Sequence, residues 1–373
     1  MQRCEVLIVG GGPAGSTCAW LLKRAGIDVL VLDKKAFPRD KICAGWVTPA
    51  VVEELQFDVE DYRASGRTIQ PIKRFRTGII GDRVVETQYD EPVSYGIRRI
   101  EFDAYLLERS GALVAEPAQL KSLESSPGGW LANGNIEARF VVGAGGHFCP
   151  VARQLGAKLG HSEIVVAAQE VEFQMTETQK RDCAAEGDKP ELYFCADLKG
   201  YGWVFRKGEY LNVGLGREDN HKLSEHVADF VHWLKSTRRI PQDSPEKFGG
   251  HAYLLYNQAP RPFLAERAML IGDAAGLAYP KSGEGIRPAV ESAIFAAETL
   301  IAARGDYSAA TLAGYETKMI ERFGMRHTKS LTDRLPEGLR KLVAVRLFGS
   351  EWFTRNFLID EWFLHAKQAA LRA

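Results

Sequence analysis

The stretch from Glu5 to Asp33, EVLIVGGGPAGSTCAWLLKRAGIDVLVLD, decides how the chain begins to fold. Val6-Leu7-Ile8-Val9 is a short apolar run bounded by glycine, the pattern of a strand buried on both faces. It passes without a linker into Gly10-Gly11-Gly12-Pro13-Ala14-Gly15, a G-x-G-x-x-G. Ala19, Leu22 and Ala25 then recur at helical spacing until Gly26, and Val29-Leu30-Val31-Leu32 is a second buried strand. The unit closes on an acid, Asp33, at the distance of about 20 residues typical of a dinucleotide-binding β-α-β unit. Each glycine has a physical task there. Gly10 makes the tight turn, Gly12 lets backbone approach a pyrophosphate, and Gly15 packs helix against strand. The free N–H groups at the helix start favour phosphate, and Asp33 can accept from a ribose hydroxyl.

Working outward, the composition excludes several classes. A chain of 373 residues can bury a large core, as two domains or as one with insertions. Lys plus Arg and Asp plus Glu both total 48, so no basic field marks a nucleic-acid binder. The six cysteines are scattered without C-x-x-C pairs, which points to reduced thiols in a cytoplasmic protein and to no structural metal. The N-terminus opens on a strand and not on a signal-peptide pattern. No apolar run approaches the roughly 18 residues of a spanning helix.

Lys34 to Trp46, KKAFPRDKICAGW, is irregular and basic, and it leaves the strand end that carries Asp33. Arg39 and Lys41 are thereby placed to meet phosphate or adenine, with a solvated loop as the plainer alternative. Thr48 is positioned to cap a helix over 49–55. Residues 68–94 read as a small antiparallel insertion, and Glu101 to Ser110 as a helix. Leu113-Val114, Leu120 to Leu123 and Ile136 to Val142 read as strands, the last entering the turn Gly143-Ala144-Gly145-Gly146. From Ile164 to Met175 side chains alternate with period two, predicting a long half-buried strand. Strands over 192–195, 201–205 and 211–215 continue the series, and Leu223 to Leu234 is a helix beside them. Ala268 to Ile271 then enters Gly272-Asp273, which places a carboxylate at the sheet's carboxyl edge. An apolar-faced helix begins at Ile286.

These blocks together resemble the FAD-dependent oxidoreductases of the para-hydroxybenzoate hydroxylase superfamily, over roughly the first 305 residues. Gly10 to Gly15 with Asp33 is similar to the ADP-binding fingerprint, although Glu is commoner at that acid. Arg99-Ile100-Glu101-Phe102-Asp103 matches an R-x-x-F-D helix start, which implies Arg99 near the FAD pyrophosphate. Gly272-Asp273 matches a motif whose Asp binds the ribityl chain, and Leu120 falls where backbone runs along adenine. Within the superfamily the sequence looks most like the geranylgeranyl reductase group. Phe37 to Gly45, Gly200 to Phe205 with Asn212 to Gly216, and Gly272 to Ile286 carry that likeness. It implies a flavin-side role for Cys43 and a substrate-side place for Trp203, the two candidate catalytic residues. Ala44 and Arg206 depart from the group's usual glycine and proline. The W-x-W-x-I-P of flavin halogenases is absent.

The implied fold is α/β: a Rossmann-type, glutathione-reductase-like FAD domain with an inserted antiparallel β substrate domain and a helical C-terminal tail. Residues 1–66, 95–163 and 257–306 form the FAD domain, 67–94 and 164–256 the substrate side, and 307–373 the tail. The expected FAD-binding set is Gly10, Gly12, Pro13, Ala14, Gly15, Asp33, Lys34, Arg39, Cys43, Ala44, Arg99, Leu120, Gly145, Asp273, Gly283, Gly285 and Ile286. With one dinucleotide fold, electrons must come from transiently docked NAD(P)H or a ferredoxin-like carrier. The expected reaction is hydride transfer from flavin N5 to a carbon–carbon double bond of a lipophilic or isoprenoid substrate. The alternatives are hydroxylation of an aromatic or a protein side chain, and a flavin-binding accessory role without catalysis. In the tail, Ser308 to His327 reads as one long helix and Pro336 opens another. The crowd Trp352, Phe353, Phe357, Trp362 and Phe363 reads as a cap over the substrate cavity, with peripheral membrane contact as its alternative.

Overall fold

Val6, Leu7 and Ile8 have no exposed surface because their strand, Gln2–Val9, lies in the middle of a sheet. Ile136–Gly143 flanks it in parallel on one side and Val29–Leu32 on the other. Ala268–Leu270 and Leu113–Ala115 extend the parallel order outward. Leu264–Ala265 closes one edge antiparallel, and the hairpin Leu123–Ser126 and Gly129–Ala132 pairs onto Ile136–Gly143. Parallel neighbours need a crossover, which the helix Pro13–Arg24 supplies. That helix packs on the long helix Ile286–Ala303. The computed structural model describes residues 1–157, 165–219, 222–326 and 346–371.

The second sheet has seven strands, in the order Gly249–Leu254, Val165–Gln174, Tyr210–Arg217, Gly200–Lys207, Glu191–Phe194, Arg74–Ile79, Val84–Gln88. The expectation of a wholly antiparallel sheet needs correction, because Glu191–Phe194 pairs with Arg74–Ile79 in parallel. The stretch 68–94 contributes the hairpin Arg74–Ile79 and Val84–Gln88. A two-stranded hairpin is marginal alone, and this one joins the second sheet, where Phe75 becomes fully buried. Ile69–Ile72 turns away to pair with Ser94–Ile97, which in turn pairs with Trp46–Val47. The helix Leu223–Ser236 covers one face, and Gly202 makes room for it: a Cβ there would lie 2.5 Å from the Phe230 ring.

Three local expectations change. Leu120 lies in a loop, and the strand begins only at Leu123, because Asn133 Oδ1 takes the Lys121 and Ser122 amides from the ladder. Thr48 stands at the N-cap of Pro49–Glu54, but its hydroxyl is buried without a hydrogen-bond partner among the described residues. The expected long helix from Ser308 is broken at Ala313 into Ala309–Leu312 and Gly314–Phe323, and Gly324 with φ +82° ends it. His327 and the helix expected from Pro336 lie outside the described residues. The tail resumes with a π-helical run, Thr354–Phe363. Phe348, Leu358, Ile359 and Phe363 are buried there with Trp46, Phe75, Phe194 and Phe205 of the sheets.

Candidate functional site

One cavity of about 1170 Å³ runs from the carboxyl ends of the first sheet to a face of the second. Gly10, at φ +114°, makes the first turn, and a Cβ on it would sit 2.4 Å from the Ala144 carbonyl oxygen. Gly15 does not line the cavity; a Cβ on it would meet the Gly10 oxygen at 1.8 Å, so it serves the turn by close packing. Gly12, Pro13 and Ala14 form the cavity wall at the helix start. Asp33 accepts from the Gly11 amide at 2.8 Å and the Lys35 amide at 2.9 Å. Those bonds orient its carboxylate while each oxygen keeps a lone pair for a ligand. Lys34, Leu120 and Gly145 line the same end.

Arg99 forms a two-pronged ion pair with Asp103, at 2.7 and 2.8 Å. Arg39 reaches the same carboxylate at 3.1 Å and stacks over Phe37. Two guanidinium groups share one fully buried carboxylate, and Arg39 also lies 3.9 Å from Asp33, so both guanidinium groups are fixed on the cavity wall beside the Gly12 turn. Guanidinium N–H groups held there suit a pyrophosphate. Asp103 is the positioning group that the R-x-x-F-D pattern contained without declaring its task.

Farther along, Asp273 lines the cavity with Gly283, Gly285 and Ile286, at the start of Ile286–Ala303. Lys41, expected to meet phosphate or adenine, lines the cavity here: its Nζ is 2.7 Å from His251 Nε2, and His251 is 3.8 Å from Asp273. Burial works to raise the Asp273 pKa, but His251, Lys41 and Arg99 together hold it below the usual carboxylate range. Burial, with Arg99 nearby, pulls Lys41 down to about 8.

The third part is built around Cys43, which is half-buried. Its amide donates to Glu170 Oε1 at 2.7 Å and its carbonyl accepts from Asn212 Nδ2 at 3.2 Å. Asn212 Oδ1 in turn accepts from Trp203 Nε1 at 2.7 Å. Two strands of the second sheet therefore clamp the Cys43 peptide and fix the indole beside it. Gly45 completes the bend at φ +68°, where a Cβ would collide with the Ile97 carbonyl. Burial pushes the Glu170 carboxyl up to about 7, against the lowering effect of the Cys43 amide and Lys207. Ala44, Trp46, Ala168, Tyr201, Trp203 and Phe363 give this end an apolar, largely aromatic wall. Sequence reasoning placed Glu170 on an alternating strand but could not say which face looked inward. His251 carried no signal of its own, Asn212 was legible only as the start of a block that carries the family likeness, and Phe363, one of the aromatic crowd read as a cap, does line the cavity.

A flavin dinucleotide fits these residues. There is a glycine cradle that any Cβ would fill, a pair of guanidinium groups beside it, and a carboxylate held ionised farther along the cavity. Residues 3–324 match the family model described as FAD binding domain. The chain belongs to that family. As an FAD binding domain protein it is an FAD-dependent oxidoreductase, and the likeness to the geranylgeranyl reductase group is borne out by its relatives. Digeranylgeranylglycerophospholipid reductase of Methanocaldococcus jannaschii is 26% identical over 347 residues, covering 87% of this chain and 85% of that one. Menaquinone reductase of Mycobacterium tuberculosis is 29% identical over 324 residues, covering 80% and 77%. Among solved structures, a geranylgeranyl bacteriochlorophyll reductase-like protein of Thermoplasma acidophilum has the same fold, with a TM-score of 0.77, 22% identity and 98% of both chains covered. No described helix of this FAD-binding protein is long and apolar enough to cross a membrane.

Proposed function

We propose that the protein reduces a carbon–carbon double bond of a lipophilic, isoprenoid-bearing substrate. The observation that carries this reading is the aromatic wall around Cys43: Trp46, Tyr201, Trp203 and Phe363 line the cavity beyond the residues suited to FAD. An alkene has no polar handle, so such a site holds it by apolar contact and by excluding water. FAD, when bound and reduced, supplies hydride chemistry. The Gly10 to Gly15 turn, with Arg99 and Arg39, binds the pyrophosphate, and Asp273 accepts from the polyol chain. The N-terminus of Ile286–Ala303 stabilises negative charge on the ring. Cys43 and Trp203 border the reacting volume, and the Trp203 indole is held still by Asn212. The electron donor in this proposal is external, docked NAD(P)H or a ferredoxin-like carrier.

The test is to photoreduce the protein without oxygen, add polyprenyl or aromatic compounds, and follow flavin absorbance. Anaerobic reoxidation by an alkene is the expected result. Cys43→Ser, nearly isosteric, is expected to keep the flavin and slow that step. Failure with every alkene, together with substrate-stimulated oxygen consumption, sinks the proposal in favour of hydroxylation.

A further inference from the structure

We infer that Glu170 is the proton donor of this reaction, passing a proton from Oε2 to the alkene carbon beside the one that accepts hydride. The inference rests on the reductase reading and supplies the group that completes the addition.

The strand Val165–Gln174 buries Glu170, which is 6% exposed, and Glu170 lines the cavity with Ala168 two residues before it. Its neighbours in register on both adjacent strands are glycines, Gly214 and Gly249. Trp203 occupies the space a side chain on Gly214 would take, and Ile42 the space beside Gly249. The carboxyl therefore sits between an indole and an aliphatic chain.

The charges on the surrounding elements have their ion pairs with other groups, although Lys207 is near enough to lower the Glu170 carboxyl and Glu172 to raise it. On its own strand, Glu172 is paired with Lys207 at 2.8 Å and Arg98 at 3.3 Å. On the Gly249–Leu254 strand, His251 is turned to Lys41 and Asp273. From the loop comes the Cys43 thiol, and from Tyr210–Arg217 the neutral Asn212, which bonds the Cys43 carbonyl and also lowers the Glu170 carboxyl, by less than burial raises it. Among the described residues no cation forms an ion pair with Glu170.

The two carboxyl oxygens are unlike. Oε1 accepts the Cys43 N–H, so it is the carbonyl-type oxygen and the acid proton belongs on Oε2. Oε2 is buried with no hydrogen-bond partner among the described residues. Burial raises the group to about 7, so the acid is populated at neutral pH and is matched to proton transfer there. Glu284 is also raised to about 7 by burial, but it caps the helix start through the Arg287 amide at 2.7 Å, at the cofactor end.

The step balances. One alkene carbon gains hydride from the reduced cofactor while the π pair shifts to its neighbour, which takes the Oε2 proton. Two C–H bonds form, and one π bond, the Glu170 O–H bond and the hydride donor's own bond to hydrogen break; the donor is oxidised by two electrons and the alkene reduced by two. The carboxylate regains its proton from solvent, and the external reductant restores the two electrons.

The test compares wild type, Glu170→Gln and Glu170→Asp as holoproteins of equal flavin content and melting temperature. Infrared difference spectra, wild type minus Glu170→Gln, should show a protonated carboxyl band that disappears with a midpoint near pH 7. A group active as its acid gives a rate that is full at low pH and falls as pH rises through that midpoint. Anaerobic alkene-dependent reoxidation should follow this limb in wild type. In Glu170→Gln it should be about 10²- to 10⁴-fold slower and flat with pH, and Glu170→Asp should restore part of the rate with the limb. A carboxylate already ionised at pH 6, or unchanged kinetics in Glu170→Gln, overturns the assignment. So does a limb that survives in Glu170→Gln and vanishes in Glu284→Gln, which makes Glu284 the donor. An intact band with wild type inert toward every alkene overturns the reductase reading itself, and the proton step with it.

Discussion

The two ends of the cavity are built by different means. At the phosphate end, Gly10, Gly12, Gly15 and Asp33 lie within one β-α-β unit, and Arg99 and Asp103 lie one helical turn apart. At the Cys43 end, the loop is held by Glu170 and Asn212, which are 127 and 169 residues away along the chain. A site made of local turns is constrained by backbone geometry, so small changes there are severe. A site made of distant side-chain bonds is constrained by a few hydrogen bonds, so single losses are graded.

The largest effect should come from the local end. Gly12→Val puts a branched side chain on the cavity wall, with its Cβ 3.3 Å from Arg39 Nη2, where backbone must meet pyrophosphate. A folded, colourless protein is expected, and full flavin content by absorbance contradicts the contrast. Asp273→Ala comes next. It removes a charge-assisted hydrogen bond worth about 1.5–3 kcal/mol, or about tenfold to hundredfold in FAD affinity. A titration of apoprotein with FAD measures it, and unchanged affinity shows that Asp273 serves another group. The smallest effect should follow Asn212→Ala at the distant end. It leaves the buried Trp203 N–H unpaired, costing about 1–3 kcal/mol of stability, while flavin content stays at the wild-type level. Denaturant unfolding and absorbance separate the two readouts. Loss of flavin in this variant would show that the ends are not independent.

The same contrast explains what could be read from the sequence. The first sheet, its glycine turn and the parallel order follow from short apolar runs punctuated by glycine, because both signals are local. The second sheet was visible as strands, but not its order. Nothing in Arg74 to Ile79 announces that it pairs in parallel with Glu191 to Phe194 across more than a hundred residues of chain. Glu170 illustrates the limit most sharply. Period-two alternation shows that Val166, Ala168 and Glu170 share a face, and only the partner strands decide that this face looks into a cavity. Lys41 is a related case. An irregular loop gives no rise per residue to measure, so its charge could be counted but not located.

The stacking of Phe363 on Trp46, with centroids 5.4 Å apart and planes 17° apart, has a consequence for how such proteins diversify. The family model ends at residue 324, so Trp46 lies within the residues it matches and Phe363 lies in the tail beyond them. The tail is tied to that scaffold through Arg287, whose guanidinium donates to the Gln368 and Ala369 carbonyls from the helix that starts at the cofactor end. Phe363 is the member of the aromatic wall that the tail supplies, while Trp46, Tyr201 and Trp203 come from the residues the family model matches. A graft of another tail, keeping the Arg287 anchor, can reshape the pocket while the flavin cradle is inherited unchanged.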